Sequence, residues 1–338
     1  MQTKANIENQ LQAKLNQLKR NTIPQECLNF CLDFVHTRVG KVIKNFEVKP
    51  YGGAANQLSS MKNGDIDCTI ICDLYNIQIV QKDKIDQLDH AIRKLDRYRP
   101  GDNLLKAFKP HINSDKANEI IVNAENIVKQ HILELLGLGN IMDDNPYDNN
   151  PTIRFSVQYQ DLTVFVDLTI NSDYPLKNTR YIRQCIEKYQ YTRDLILCIK
   201  HIIQVNELTR TDSHRNIKSY SIYMMVIHYL RNNNQTFNYF NEYLIGFLNY
   251  YDKFNWQYNK IIQCDDFKQI DNSPKTLQQL AQYGRLQILD PFELNRNVAD
   301  NMTDKSTQQL FLLFKNEYKK FQKLLQLQEN KSTQQKVE

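Results

Sequence analysis

Two aspartates two positions apart, at the mouth of an apolar run, constrain this chain more than any other feature. The stretch from Tyr51 to Ile71 reads YGGAANQLSSMKNGDIDCTII, a Gly-Gly turn followed by Asp65-Ile66-Asp67. Along a β-strand, residues two apart point to the same side. Asp65 and Asp67 therefore project together, while Ile66, Cys68 and Ile70 face the other way. Two carboxylates so close repel and call for a cation between them, and hard oxygen ligands suit Mg2+ or Mn2+. Gly52 and Gly53 leave room for a phosphate to approach the backbone. A second strand, Thr163 to Ile170, sets Asp167 in the middle of an apolar run, a place an aspartate tolerates only with a partner. Three carboxylates on adjacent strands beside a glycine turn make a candidate two-metal phosphoryl-transfer site.

The chain has 338 residues, enough for one large or two medium domains with real cores. A net charge of +5 fits a polyanionic partner without demanding one. Seven scattered cysteines argue against a disulfide framework and for a reducing compartment. No run of about 18 apolar residues occurs, and MQTKANIENQ lacks the apolar segment of a signal peptide. These features predict a soluble intracellular protein with no membrane partner; they do not separate cytoplasm from nucleus, of which cytoplasm is the favoured expectation.

The chain divides by pattern. Residues 1–48 are read as N-terminal helices, with Pro24 opening the second and Thr22 placed to cap it. Cys27, Cys31, Phe34, Val35, Val39, Val42 and Phe46 recur at helical spacing. Residues 49–176 carry the acidic strands, with a helix from about Lys82 to Tyr98 and a basic insertion near 97–119. A further helix is read around Ile120 to Leu136, a turn-rich loop at Asp143 to Pro151, and a strand pair turning at Gln160-Asp161. After Pro175 helical patterns take over, at Tyr181–Val205, Tyr220–Arg231, Phe240–Tyr251 and Gln308–Leu327, and 328–338 reads as a disordered tail. The cysteine pairs Cys27/Cys31 and Cys68/Cys72 lack further ligands at zinc spacing and read as buried thiols.

In order along the chain these pieces resemble the template-independent RNA nucleotidyltransferases of the DNA polymerase β superfamily, the terminal uridylyltransferases and cytoplasmic-type poly(A) polymerases. Gly52-Gly53 with Leu58 resembles the family's glycine-serine turn, and Lys62 to Asp67 its first acidic motif. Phe165 to Asn171 resembles the strand of its third aspartate. Asn241 to Trp256 resembles a helix of its associated domain, and Asp290 to Val298 its nucleotide-recognition motif.

The resemblance implies an α+β fold, with a polymerase-β-like catalytic domain of mixed sheet and helices, a helical poly(A)-polymerase-associated domain over 177–327, and a cleft between. It implies that Asp65, Asp67 and Asp167 are both catalytic and metal-binding, with Mg2+ or Mn2+ as cofactor. It places Gly52 and Gly53 at the phosphates, Asn178 and Thr179 at the ribose, Lys200 and Ser219 at the triphosphate, and Tyr220 at the base. By type alone Lys200 is a solvated helix lysine and Tyr220 a core aromatic. Arg296, steadied by Glu293, is placed at the base edge, though it reads equally as a salt-bridged surface residue. The implied partners are an RNA 3′ end, UTP or ATP, and protein partners of an RNA-processing complex.

The chain departs from the family pattern in places. Gly53 and Gly64 stand where serines are usual, Gln204 where many relatives carry a second phosphate lysine, and Arg296 where uridylyl enzymes often place a histidine. UTP is favoured over ATP. A poly(A) polymerase, and a weakly active or inactive scaffold subunit of an RNA-silencing type complex, stay open as alternatives.

Overall fold

The computed structural model describes residues 2–62, 64–80, 85–96, 114–142, 151–206, 208, 217–233, 236–254, 256, 261–262, 286–292 and 296–334. The chain forms two compact units, one of Thr22–Arg180 and one joining Met1–Asn21 to Tyr181–Glu338. The mixed α/β class implied above is present.

In Thr22–Arg180 the helices are α2 (Gln25–Val39), the single turn α3 (Gly52–Ala55), α4 (Ile85–Asp96) and α5 (Ser114–Leu136). The strands are β1 (Ile43–Lys44), β2 (Phe46–Tyr51), β3 (Asp65–Cys72), β4 (Gln78–Ile79), β5 (Asn140–Met142), β6 (Thr152–Tyr159) and β7 (Leu162–Ile170). Five of them make one sheet in the order β2-β3-β7-β6-β5. The central pair, β3 and β7, is parallel; its neighbours add antiparallel. Alternation decides which face is buried. Ile66, Cys68 and Ile70 of β3 and Val164, Val166 and Leu168 of β7 join one apolar cluster with Cys27, Cys31, Val35 and Val39 of α2.

Strand β7 stops at Asn171, which takes a left-handed φ of 51°, a conformation asparagine tolerates better than most residues. Its side chain continues the ladder. Oδ1 accepts the Cys72 N–H at 3.0 Å and Nδ2 donates to the Cys72 carbonyl at 2.8 Å.

The second unit holds α1 (Gln2–Arg20), α7 (Thr192–Val205), α8 (Ser219–Asn232), α9 (Phe240–Asp252) and α10 (Asp304–Gln334); α6 (Asp173–Lys188) runs from one unit into the other. The short strands β8 (Ile261–Ile262) and β9 (Gln287–Ile288) pair in parallel. Phe247, Tyr251, Phe311 and Phe314 build an aromatic core between α9 and α10. Both oxygens of Glu8 accept backbone N–H groups at the start of α9, from Phe240 at 3.3 Å and Asn241 at 2.9 Å. Glu8 thereby caps a helix more than two hundred residues away.

Several local expectations change. Helix α2 ends at Val39, and Val42 and Phe46 lie beyond it, Phe46 opening β2. Thr22 does not cap α2; the cap position is Pro24, without a side-chain bond, and Thr22 bridges to Ser60. Tyr181–Val205 is two helices, broken where Tyr191 turns left-handed with φ 63° and packs its ring against Phe240 and Tyr243. The last helix runs through Gln334, past the expected start of a disordered tail. The strand pair turning at Gln160-Asp161 forms as expected, with Tyr159 opposite Leu162.

The insertion falls mostly on residues 97–113 and the loop on residues 143–150, both outside the described residues. The described cysteines form no disulfide, and burial pushes the Cys31 thiol up to about 12. Among the described residues, no helix is long and apolar enough to cross a membrane.

Candidate active site

Register assembles the acids. Asp65 and Asp67 share the outward face of β3, and the parallel pairing sets Asp167 of β7 directly beside Asp67. Each aspartate offers a carboxylate oxygen, and these oxygens lie within 4.8 Å of one another. Burial, then the negative charges of Asp65 and Asp167, raise the Asp67 carboxyl well above the usual range, and Arg154 partly offsets them.

Arg154 was missed in the sequence. It lies on β6, directly opposite Asp167. Its Nε donates to Asp167 Oδ1 at 2.6 Å, and its Nη2 donates to Asp167 Oδ2 at 2.6 Å and to Asp65 Oδ2 at 2.8 Å. The hydrogen bond to Asp167 raises the guanidinium pKa, against the lowering effect of burial. A guanidinium is thus seated where the acids concentrate negative charge. Three hard oxygen donors converging on a place that already holds a cationic group fit a divalent Mg2+ or Mn2+ ion.

The glycine turn is built against the same acids. Tyr51 ends β2 opposite Asp67, and the chain reverses at Gly52 with φ +72°. A Cβ at Gly52 would run into Asp67 Oδ2, so only glycine allows both the turn and the carboxylate. The Gly52 N–H donates to Thr179 Oγ1 at 2.8 Å, and Thr179 Oγ1 donates to the Pro175 carbonyl at 2.7 Å. Asn56 Nδ2 donates to the Thr179 carbonyl at 3.2 Å, and the Gly53 carbonyl accepts the Leu58 N–H at 2.8 Å. At Gly64 a Cβ would meet the Ser60 carbonyl, so the chain passes there only as glycine.

Gly52, Gly53 and Thr179 are therefore tied to the triad. Beside Thr179, the Asn178 Oδ1 is buried with no hydrogen-bond partner. A buried orphan acceptor is costly in a finished structure, and Asn178 Oδ1 is one of several such atoms among the described residues.

The remaining candidates lie in the other unit. Lys200 of α7 has its Nζ 3.4 Å from the Tyr223 hydroxyl and 5.5 Å from the centre of that ring. Ser219 is the first residue of α8 and is exposed; Tyr220 follows, partly buried. Ser221 Oγ donates to the Val298 carbonyl at 2.7 Å, which joins α8 to the Asp290–Val298 motif. Within that motif the Arg296 carbonyl accepts the Asp290 N–H at 3.1 Å. Asn297 Oδ1 accepts from the Ile288 and Ala299 N–H groups, each at 3.0 Å. Arg296 is partly buried; Glu293 lies outside the described residues. The basic residues Arg97, Arg99, Lys106 and Lys109 of the insertion, and Arg210, His214 and Arg215, also lie outside them.

No protein-family model matches the chain, and no curated protein matches it. Solved structures do. Cid1 poly(U) polymerase bound to Mg 3′-dATP is 15% identical, with 93% of each chain covered and a TM-score of 0.62. Cid1 in complex with the UTP analogue UMPNPP is 14% identical, with 94% of each chain covered and a TM-score of 0.61. A cytoplasmic RNA terminal U-transferase is 14% identical over 91% of this chain and 92% of that chain, with a TM-score of 0.60. At such identities the likeness is one of architecture, and in architecture this chain has the two-domain fold of the Cid1 structures.

Proposed function

We propose that the protein is a metal-dependent enzyme that adds ribonucleotides, UTP in preference to ATP, to RNA 3′ ends without a template. The observation that carries this reading is Asp65, Asp67 and Asp167 on one sheet face with the Gly52 turn packed on Asp67. The three carboxylates would hold Mg2+ or Mn2+, which when bound supplies Lewis acidity toward the attacking 3′-hydroxyl and the α-phosphate. Gly52 and Gly53 leave room for the triphosphate to approach the backbone. The orphan Asn178 Oδ1 accepts a hydrogen bond from the ribose 2′-hydroxyl, which favours ribonucleotides. Lys200 adds positive charge for the phosphates, aided by Ser219 at a helix start. Tyr220 stacks on the base, a contact worth about 1–3 kcal/mol. Asp67→Ala and Asp167→Ala should each abolish tail addition to single-stranded RNA while leaving the fold intact, as read by circular dichroism. Unchanged tailing in both variants ends this reading.

Base choice rests on Arg296. Uracil offers two carbonyl acceptors, whereas the adenine edge carries an amino donor, and arginine presents donors only. Arg296→Ala should narrow the UTP-over-ATP ratio of kcat/KM about tenfold, the effect of one hydrogen bond. A wild-type preference for ATP makes the protein a poly(A) polymerase instead.

The scaffold reading draws on Arg154, whose guanidinium spans Asp65 and Asp167. Tailing assays on the isolated chain with Mg2+ or Mn2+ and each NTP separate the two: silence under every condition supports a scaffold subunit.

A further inference from the structure

The order of strands across the sheet orders the substrates. The glycine turn follows directly on β2, at one side of the acid-bearing strands; Asp65 and Asp67 are on β3, Asp167 on β7, and β6 comes next. In phosphoryl transfer the attacking and leaving oxygens lie roughly in line on opposite sides of the phosphorus. With the triphosphate at the glycine turn, pyrophosphate leaves on the β2 side. The 3′-hydroxyl of the RNA then arrives from the β7–β6 side.

On that side the outward face carries an aromatic ring without an explanation in the fold. Phe165 shares the outward face of β7 with Asp167, two residues along the strand, a span of about 6.6 Å. It pairs with Asp65 on one side and with Ser156 on the other. Its neighbours Val164 and Val166 are buried, yet Phe165 is 51% exposed, and it makes no ring contact among the described residues. Its neighbours on β6 and along β7 are polar: Ser156 lies opposite it, and Thr163 Oγ1 donates to Gln158 Oε1 at 3.0 Å. A half-exposed phenylalanine in the outward row of a polar sheet face, one pleat repeat from the reacting centre, suits a flat apolar ligand with a polar rim. A nucleobase is such a ligand, and the terminal base hangs from the same ribose that carries the 3′-hydroxyl.

We propose that Phe165 is the stacking seat for the 3′-terminal base of the RNA acceptor. This assignment rests on the reading of the protein as an RNA 3′-end nucleotidyltransferase. Stacking is indifferent to base identity, so the seat accepts any 3′-terminal nucleotide and holds it while the incoming nucleotide is selected elsewhere.

The test uses the full-length chain and a short unstructured oligoribonucleotide labelled at its 5′ end. Binding is followed by fluorescence anisotropy without NTP, and tailing kinetics are measured in parallel. Phe165→Ala should weaken RNA binding and raise the KM for RNA by about tenfold, with the KM for UTP and the Tm unchanged. Phe165→Trp should bind as wild type. On an oligonucleotide whose 3′-terminal nucleotide lacks its base, wild type and Phe165→Ala should bind alike. The proposal falls if Phe165→Ala binds RNA as wild type does, or if its defect persists on the abasic end. Loss of binding dependent on Phe165 and on the terminal base, in a chain that adds no nucleotide, would support the seat while overturning the proposed activity.

Discussion

The guanidinium of Arg154 grips both carboxylate oxygens of Asp167, through Nε and Nη2 each at 2.6 Å, from the directly opposite position on the neighbouring strand. It reaches Asp65 as well. Without it, three acids face one another with no cation among them. Arg154→Gln should lower the Tm in EDTA by about 2–4 °C, on the order of 1 kcal/mol for a partly exposed pair. Added Mn2+ should restore more Tm in the variant than in wild type. Scanning fluorimetry with and without metal checks this, and equal melting of the two proteins in EDTA would show the guanidinium to be electrostatically idle.

Gly52 and Gly137 offer a matched pair. Both have φ in the left-handed region, +72° and +61°, so alanine at either carries a backbone cost of roughly 1–2 kcal/mol. Only at Gly52 would the new Cβ strike a carboxylate, whereas nothing lies within 4 Å at Gly137. Gly52→Ala should therefore cut tailing at least about a hundredfold, as misplacement of reacting groups does. Gly137→Ala should move the Tm and leave turnover alone. Comparable turnover in the two variants would refute the packing of Asp67 on the turn.

Thr179 works through its hydroxyl, which accepts from Gly52 and donates to Pro175. Thr179→Val keeps the shape and removes both bonds. The kcat/KM for UTP should fall about tenfold for the lost anchor of Gly52, and Thr179→Ser should recover most of it. A serine variant as poor as valine would point to the methyl group instead.

Burial, followed by the positive charge of Lys14, holds His201 below its ordinary value of 6.5. The protonated ring is disfavoured in the folded state. Its contribution to stability is complete above pH 6.5 and is lost as pH falls through the lower folded value. Melting curves should show wild type losing Tm over that window and His201→Gln losing less. Parallel decline in both proteins would place the acid sensitivity elsewhere.

What was legible in the sequence followed the periodicities. Asp65 and Asp67 share a face because a strand repeats every two residues, and Asp167 declared itself by sitting in an apolar run. That Asp167 lies beside Asp67 depends on a parallel pairing across about a hundred residues, which no local pattern encodes. Arg154 was within reach. A two-residue turn at Gln160-Asp161 pairs Tyr159 with Leu162 and, counting back along the hairpin, Arg154 with Asp167. Its residue type carries no signal of its own, because an arginine at an outward strand position is ordinary. The break at Tyr191 was not legible, since a tyrosine in left-handed conformation is held there by rings from Phe240 and Tyr243 that lie far along the chain.

The Glu8 cap on α9 has a consequence for how the chain comes to be folded. The unit it belongs to is discontinuous: residues 1–21 wait for partners that begin at Tyr181, across an intervening stretch that folds into a unit of its own. On the ribosome the acid-bearing sheet is complete before α9 exists. The first helix then closes onto a far part of the chain, and the collapsed sheet unit between them shortens the entropic distance that closure must cross. The order of folding thus runs from the sheet unit to the helical unit, and α1, made before the sheet, docks after it.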